Sequence, residues 1–180
     1  MVKFGGNMNK EDVLSESMED YLETILALET TKKVARVKDI ANKLNVQRGS
    51  VTGALKTLEQ KGLINYEPYS YITLTKEGNI IASKITRRHK IIKDFLERIV
   101  QLSSDNADAM ACRMEHTVDE QSMDKIINFI EFIDNCPRAG QQWIDAFINF
   151  CSSERPQWNK CMKCINDCKK RHEHVQTDIK

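Results

Sequence analysis

Val37-Lys38-Asp39-Ile40-Ala41-Asn42-Lys43-Leu44-Asn45-Val46-Gln47-Arg48-Gly49-Ser50-Val51-Thr52-Gly53-Ala54-Leu55-Lys56-Thr57-Leu58-Glu59-Gln60-Lys61-Gly62 is the stretch that decides the fold. Ile40, Ala41 and Leu44 recur at helical spacing and predict a short helix over about 37–44. Asn45 to Gly49 reads as a turn. Val51, Ala54, Leu55 and Leu58 then mark one stripe of a second helix over about 49–61, which Gly62 ends. Its other face carries Ser50, Thr52, Lys56 and Glu59. Two short helices joined by a tight turn form a helix-turn-helix.

Immediately downstream the period changes from 3.6 to 2. Ile64, Tyr66 and Tyr71-Ile72-Thr73-Leu74 are strand-like segments around a turn at Glu67-Pro68-Tyr69-Ser70. A helix-turn-helix followed by a small hairpin is a winged helix. The competing reading is a small α+β domain with no nucleic-acid role. Against it, Arg36, Lys38, Lys43, Arg48 and Lys56 gather where DNA phosphates would lie. Within the reading helix and its approach, Arg36, Gln47, Arg48, Ser50, Thr52 and Lys56 are the candidates for groove and phosphate contacts. A formal charge of +1 on 180 residues permits a DNA binder only with such local clustering.

Upstream, residues 1–14 lack periodicity. Ser15 and Ser17 are candidate helix starts, and Met18, Tyr21, Leu22, Ile25 and Leu28 mark one face through about Glu29. Asp20 and Glu23 flank that face. Thr30-Thr31-Lys32-Lys33 breaks the pattern. Downstream, Thr75 is placed to cap a long helix over about 76–101, with Arg87-Arg88-His89-Lys90 midway along it. Ser104 is expected to cap another helix, and Thr117 with Glu120 is expected to cap the next. There Met123, Ile126, Ile127, Ile130 and Ile133 form an apolar seam, suited to a core or to a dimer. Trp143, Ile144, Phe147, Ile148 and Cys151 mark a further amphipathic helix.

Cys112-Arg113-Met114-Glu115-His116-Thr117 holds a thiol, a carboxylate and an imidazole at i, i+3 and i+4, one face of a helix. Such a trio suits a transition metal, although ordinary surface polarity around one half-buried cysteine reads the same way. Six cysteines without an apolar leader favour reduced thiols or metal ligands over disulfides. Cys151, Cys161, Cys164 and Cys168 could bind Zn²⁺ or an iron–sulfur cluster, with Cys136, His172 and His174 as substitutes; a tail of unpaired thiols is the alternative. No run approaches the roughly 18 apolar residues of a membrane span, so a cytoplasmic protein is expected. No HExxH, nucleophile elbow or phosphate loop is present, and neither an enzyme nor a small organic substrate is expected.

Four blocks together resemble the metal-dependent repressors of the diphtheria-toxin-repressor and manganese-transport-repressor (DtxR/MntR) family. They are Ser17 to Ile25, Ala35 to Ala41, Arg87-Arg88-His89 and Ala111 to His116, in family order between about residues 15 and 134. The resemblance implies a mainly α protein, with a winged-helix DNA-binding domain over 1–78 and an all-helical dimerisation and metal-binding domain over 79–135. A helix and a Cys-rich tail occupy 136–180, and no counterpart of the family's SH3-like domain is expected. The function implied is a homodimeric repressor that binds palindromic double-stranded operators when Fe²⁺ or Mn²⁺ is present. The ligands carried over by position are Asp20, Glu23, His89, Cys112, Glu115 and His116. Asp20 and Glu23 match the manganese-type members, whereas Cys112 matches the iron-type ones. At the positions of the iron-type ancillary site stand Lys93 and Asp108, which suggest an ion pair because a protonated lysine cannot ligate. Gly53 replaces a long side chain of better-known members. A redox or iron–sulfur sensor working through the tail is the alternative function.

Overall fold

The computed structural model describes residues 14–66, 71–136 and 140–152, together with 162, 163, 165, 166 and 170. The chain divides into two units, residues 1–89 and 90–180, with the division inside one long helix.

In the first unit, helix α1 runs Glu16–Lys32, α2 runs Val37–Leu44 and α3 runs Arg48–Gln60. Ser15 begins α1 by accepting from the Met18 N–H at 3.4 Å. The helix continues through Thr30 and Thr31, past the break that composition suggests. Both hydroxyls donate back to carbonyls one turn earlier, those of Leu26 and Ala27, at 2.8 Å. Lys33, in the left-handed region at φ 66°, then ends it. Asn45 does the same for α2 at φ 54°, which makes the sharp corner of the helix-turn-helix. Gly62, at φ 70°, closes α3. Its N–H reaches the Glu59 carbonyl and the Leu63 N–H reaches that of Leu58, a Schellman motif.

Two two-residue strands follow, β1 at Ile64–Asn65 and β2 at Thr73–Leu74. They pair antiparallel in the register Ile64 with Leu74 and Asn65 with Thr73. The turn expected at Glu67 to Ser70 lies outside the described residues. Beyond this expected hairpin, Ile72 bridges to Ala35, just ahead of α2. Leu22, Ile25, Ala35, Ile40, Val51, Leu55, Leu58 and Ile72 are all 0 % exposed in one core. Burying each of the larger side chains contributes about 1.5–3 kcal/mol. The buried apolar residues of all three helices are among those the helical spacing selects, and Thr24 of α1 is buried with them.

Helix α4, Lys76–Asp94, starts at Thr75, whose Oγ1 accepts from the Gly78 N–H at 3.1 Å and donates to the Gly62 carbonyl at 2.8 Å. Gly78 is required there, since a Cβ would sit 1.9 Å from the Leu63 carbonyl oxygen. The helix does not run on to residue 101 in α form. Phe95–Ile99 is one π-helical turn, ending near Gln101 at φ 65°.

In the second unit, α5 runs Ser104–Met114, α6 Glu120–Asn135 and α7 Gln141–Ser152. The residue capping α5 is Ser103, not Ser104. Asp119, not Thr117, caps α6 by accepting from the Ser122 N–H at 2.7 Å. A carboxylate at that position carries a full charge into the positive helix end, and Ser122 pulls its pKa below the usual carboxylate range. Thr117 instead donates to the Met114 carbonyl. One core gathers Ile92, Leu96, Ala107, Ala111 and Met123; a second gathers Ile99, Ile133 and Ile144. The α6 seam is therefore only partly spent. Met123 and Ile133 are buried, whereas Ile126, Ile127 and Ile130 stay partly accessible and Phe132 is 52 % exposed. Among the described residues, no helix is long and apolar enough to cross a membrane.

Candidate metal centre and nucleic-acid interface

Each unit presents its own set of metal-binding donors. In the first, Asp20 and Glu23 stand one turn apart on α1, both partly buried. Their helix is held by Tyr21, Leu22, Ile25 and Leu28, buried on its inner face. His89, partly buried on α4, offers a ring nitrogen within 4.8 Å of a Glu23 carboxylate oxygen. That spacing suits two ligands on one cation with bonds of about 2.1 Å. Tyr21, next along the helix, has its phenol pKa pushed up by burial and by the Asp20 charge.

In the second unit, Glu115 and His116 come together, with His116 Nε2 3.4 Å from Glu115 Oε1. The Glu115 side chain is fully shielded from solvent and that of His116 is 6 % exposed. Burying a carboxylate is costly unless a cation or strong donors answer it. Its place at the end of α5 follows from the helix boundary. Met114 is the last α-helical residue, Glu115 is the C-cap, and His116 lies in the turn after it. The cluster therefore straddles a helix end and does not ride a continuous helical face. Cys112 lies one turn earlier on α5 and is exposed. The donor set of imidazoles, carboxylates and one thiol fits a first-row divalent cation such as Fe²⁺ or Mn²⁺.

Lys93 and Asp108 form the expected ion pair, Nζ to Oδ1 at 2.6 Å. Hydrogen bonding to Asp108 raises the Lys93 pKa above its ordinary value, so the ammonium persists at neutral pH.

The candidates for DNA contact lie on the first unit's surface. Arg36, Gln47, Arg48, Ser50 and Lys56 are exposed and Thr52 is partly so. Thr52 Oγ1 donates to the Arg48 carbonyl at 3.0 Å, which occupies its hydroxyl proton. At Gly53 a Cβ would meet nothing within 4 Å. The reading helix thus has a bare patch in the middle of its outward face. Tyr71 is also outward, 52 % exposed against the Arg36 guanidinium. Sequence reasoning did not single it out, although the period of two around buried Ile72 carries that signal.

Two family models match consecutive parts of this chain, between residues 13 and 144. The N-terminal DNA-binding domain of iron-dependent repressors matches residues 13–72, and their metal-binding and dimerisation domain matches residues 75–144. An HTH-type transcriptional regulator of Methanocaldococcus jannaschii is 37 % identical over 119 residues, 66 % of this chain and 95 % of that protein. The regulator MntR of Listeria welshimeri is 36 % identical over 123 residues, 68 % of this chain and 86 % of that protein. The chain belongs to the DtxR/MntR family of metal-dependent repressors.

Solved structures agree with that membership. The manganese regulator SloR matches with TM-score 0.58 and 30 % identity, over 67 % of this chain and 56 % of SloR. T. acidophilum IdeR matches with TM-score 0.60 and 27 % identity, over 71 % of this chain and 60 % of IdeR. The match thus spans little more than half the length of these structures. As a DtxR/MntR family member, the chain is a metal-responsive, DNA-binding transcriptional regulator built from a winged-helix unit and a helical unit. Cys151 is exposed near the end of α7 and Cys136 is partly buried. Cys161, Cys164, Cys168, His172 and His174 lie outside the described residues.

Proposed function

We propose that this family member is a cytoplasmic, Fe²⁺- or Mn²⁺-activated repressor that binds a palindromic operator as a homodimer and catalyses no reaction. Residues 1–78 serve as the reading domain, 79–135 carry the dimer contact and four of the six metal ligands, and 136–180 form an appended helix and tail. The ligands proposed are Asp20, Glu23, His89, Cys112, Glu115 and His116. The observation that carries this reading is the shielded Glu115 carboxylate beside His116, at the end of α5.

When bound, the cation supplies positive charge that answers these carboxylates. In its absence the neighbouring carboxylates Asp20 and Glu23 of α1 repel one another or take up protons, and both responses loosen that helix. Because α1 packs by Leu22 and Ile25 into the core that holds Val51, Leu55 and Leu58 of α3, fixing α1 fixes the reading helix. In a dimer, two reading helices must then reach major grooves about 34 Å apart, or a multiple of that. Metal acts by favouring the conformation that meets this spacing. The bare surface at Gly53 leaves fewer base-edge contacts, so operator choice rests more on DNA shape.

A Zn²⁺ ion or iron–sulfur cluster on Cys151, Cys161, Cys164 and Cys168 is a separate proposal, and with it a redox input. The two inputs are separated by a chain ending at Ser152, which keeps the packed residue Ile144 of α7 and removes three of the four cysteines. If that chain still needs Mn²⁺ or Fe²⁺ to bind DNA, the core site is the sensor. Metal-independent binding by the shortened chain would move the sensor into the tail.

A further inference from the structure

The bridge between Ala35 and Ile72 determines what lies beside it. The Ile72 N–H donates to the Ala35 carbonyl at 3.0 Å, and both side chains are 0 % exposed. In an antiparallel pair the residue after one partner faces the residue before the other, and successive side chains take opposite faces. With Ala35 and Ile72 inward, Arg36 and Tyr71 become neighbours on the outer face. The contact between them is intimate. The Arg36 guanidinium carbon lies 5.1 Å from the centre of the Tyr71 ring, and Nη2 donates to the Tyr71 hydroxyl at 3.3 Å. Tyr71 is half exposed and Arg36 exposed, so core packing does not force this arrangement.

We propose that Tyr71 is a positioning residue that holds Arg36 ready for a DNA phosphate at the start of α2. The inference rests on the reading of the first unit as the DNA-binding one. A guanidinium has five N–H donors in a flat fork. Stacking uses its face and the tyrosine hydroxyl takes one donor, which leaves the other edge for the paired oxygens of a phosphate. An arginine already held on a ring loses less freedom when it binds than one that moves freely. Arg36 is the N-cap residue of α2. A phosphate held there would fix the first helix of the helix-turn-helix against the backbone while α3 enters the groove.

The test uses the full-length chain saturated with Mn²⁺ and a fluorescein-labelled duplex of mixed sequence, titrated by anisotropy at several salt concentrations. Arg36→Ala is expected to weaken binding and to lower the salt slope by about one per protomer. Tyr71→Ala is expected to weaken binding about threefold to tenfold in the wild-type background and to have no effect when Arg36→Ala is already present. Tyr71→Phe, which keeps the ring, should lose less. Tyr71→Leu keeps apolar bulk beside the bridge without ring or hydroxyl, and should show that same loss of about threefold to tenfold, so it replaces Tyr71→Ala if alanine unfolds the wing. Equal losses from Tyr71→Ala in both backgrounds, or no loss in either, overturn the positioning role while leaving DNA binding intact. A metal-saturated wild-type chain that binds no duplex at low salt overturns both.

Discussion

Lys93 Nζ lies 2.6 Å from Asp108 Oδ1, joining the last turn of α4 to the second turn of α5. The pair is solvated, so its direct effect on stability is small. Its consequence is chemical. The ammonium answers the carboxylate and offers no lone pair to a cation. The wild-type chain is therefore expected to bind one Mn²⁺ per protomer, and Lys93→Glu to admit a second. Equilibrium dialysis with metal analysis measures this. Mn²⁺ is the suitable probe because the thiolates of the tail bind it weakly. Two ions per wild-type protomer would contradict the expectation.

Glu29 accepts the Leu74 N–H at 3.3 Å and thereby ties α1 to the wing. Burial raises its carboxyl pKa, an effect the Leu74 hydrogen bond only partly offsets. A carboxyl raised in the fold contributes stability at low pH, and that contribution is lost as pH rises through the folded value. At pH 7 the ionised form therefore costs stability. Glu29→Gln keeps an acceptor without the charge, so its thermal midpoint should be equal or higher at pH 7, with the advantage fading as the medium is acidified. Glu29→Ala leaves the Leu74 N–H without this acceptor and should cost about 1 kcal/mol. Thermal melts of both variants between pH 4 and pH 8 decide it.

The outline of the first unit was legible because the period of three to four over α2 and α3 changes abruptly to a period of two. The inward apolar residues, the corner at Asn45 and the ends of α2 and α3 follow from that pattern. The candidate donors were equally visible as residue types. Less visible were features that depend on competition between neighbours. Thr117 and Asp119 can both cap a helix, and the stronger acceptor at Asp119 takes the role. The π-helical turn at Phe95–Ile99 has no marker, since Phe95, Leu96 and Ile99 fit a regular helix as well. The Ala35–Ile72 bridge joins segments 37 residues apart, a distance across which periodicity carries no information. Thr30 and Thr31 misled in the opposite direction, because their back-bonded hydroxyls let α1 run on.

Metal choice turns on Cys112. A thiolate is softer than a carboxylate, and Mn²⁺ is the weakest binder of the first-row series. Asp20 pulls the other way as a hard oxygen ligand. Balancing the two, Fe²⁺ should activate DNA binding at lower free concentration than Mn²⁺, and Cys112→Glu should shift preference toward Mn²⁺. Deprotonation of the thiol should also make activation of the wild type weaken as pH falls. Anaerobic titrations of both proteins with each metal provide the comparison. Stronger activation of the wild type by Mn²⁺ would refute the argument from softness.

The most direct measurement is metal-titrated DNA binding by His116→Ala alongside the wild type, with far-UV circular dichroism as the fold control. His116 Nε2 lies 3.4 Å from the shielded Glu115 carboxylate, and alanine removes a proposed ligand without adding bulk or charge. The account predicts that Mn²⁺ or Fe²⁺ tightens binding of the wild type at least about tenfold, a coupling of about 1.4 kcal/mol. In His116→Ala the metal effect should vanish while the helical spectrum stays native. A His116→Ala chain that keeps the full metal response would contradict the account.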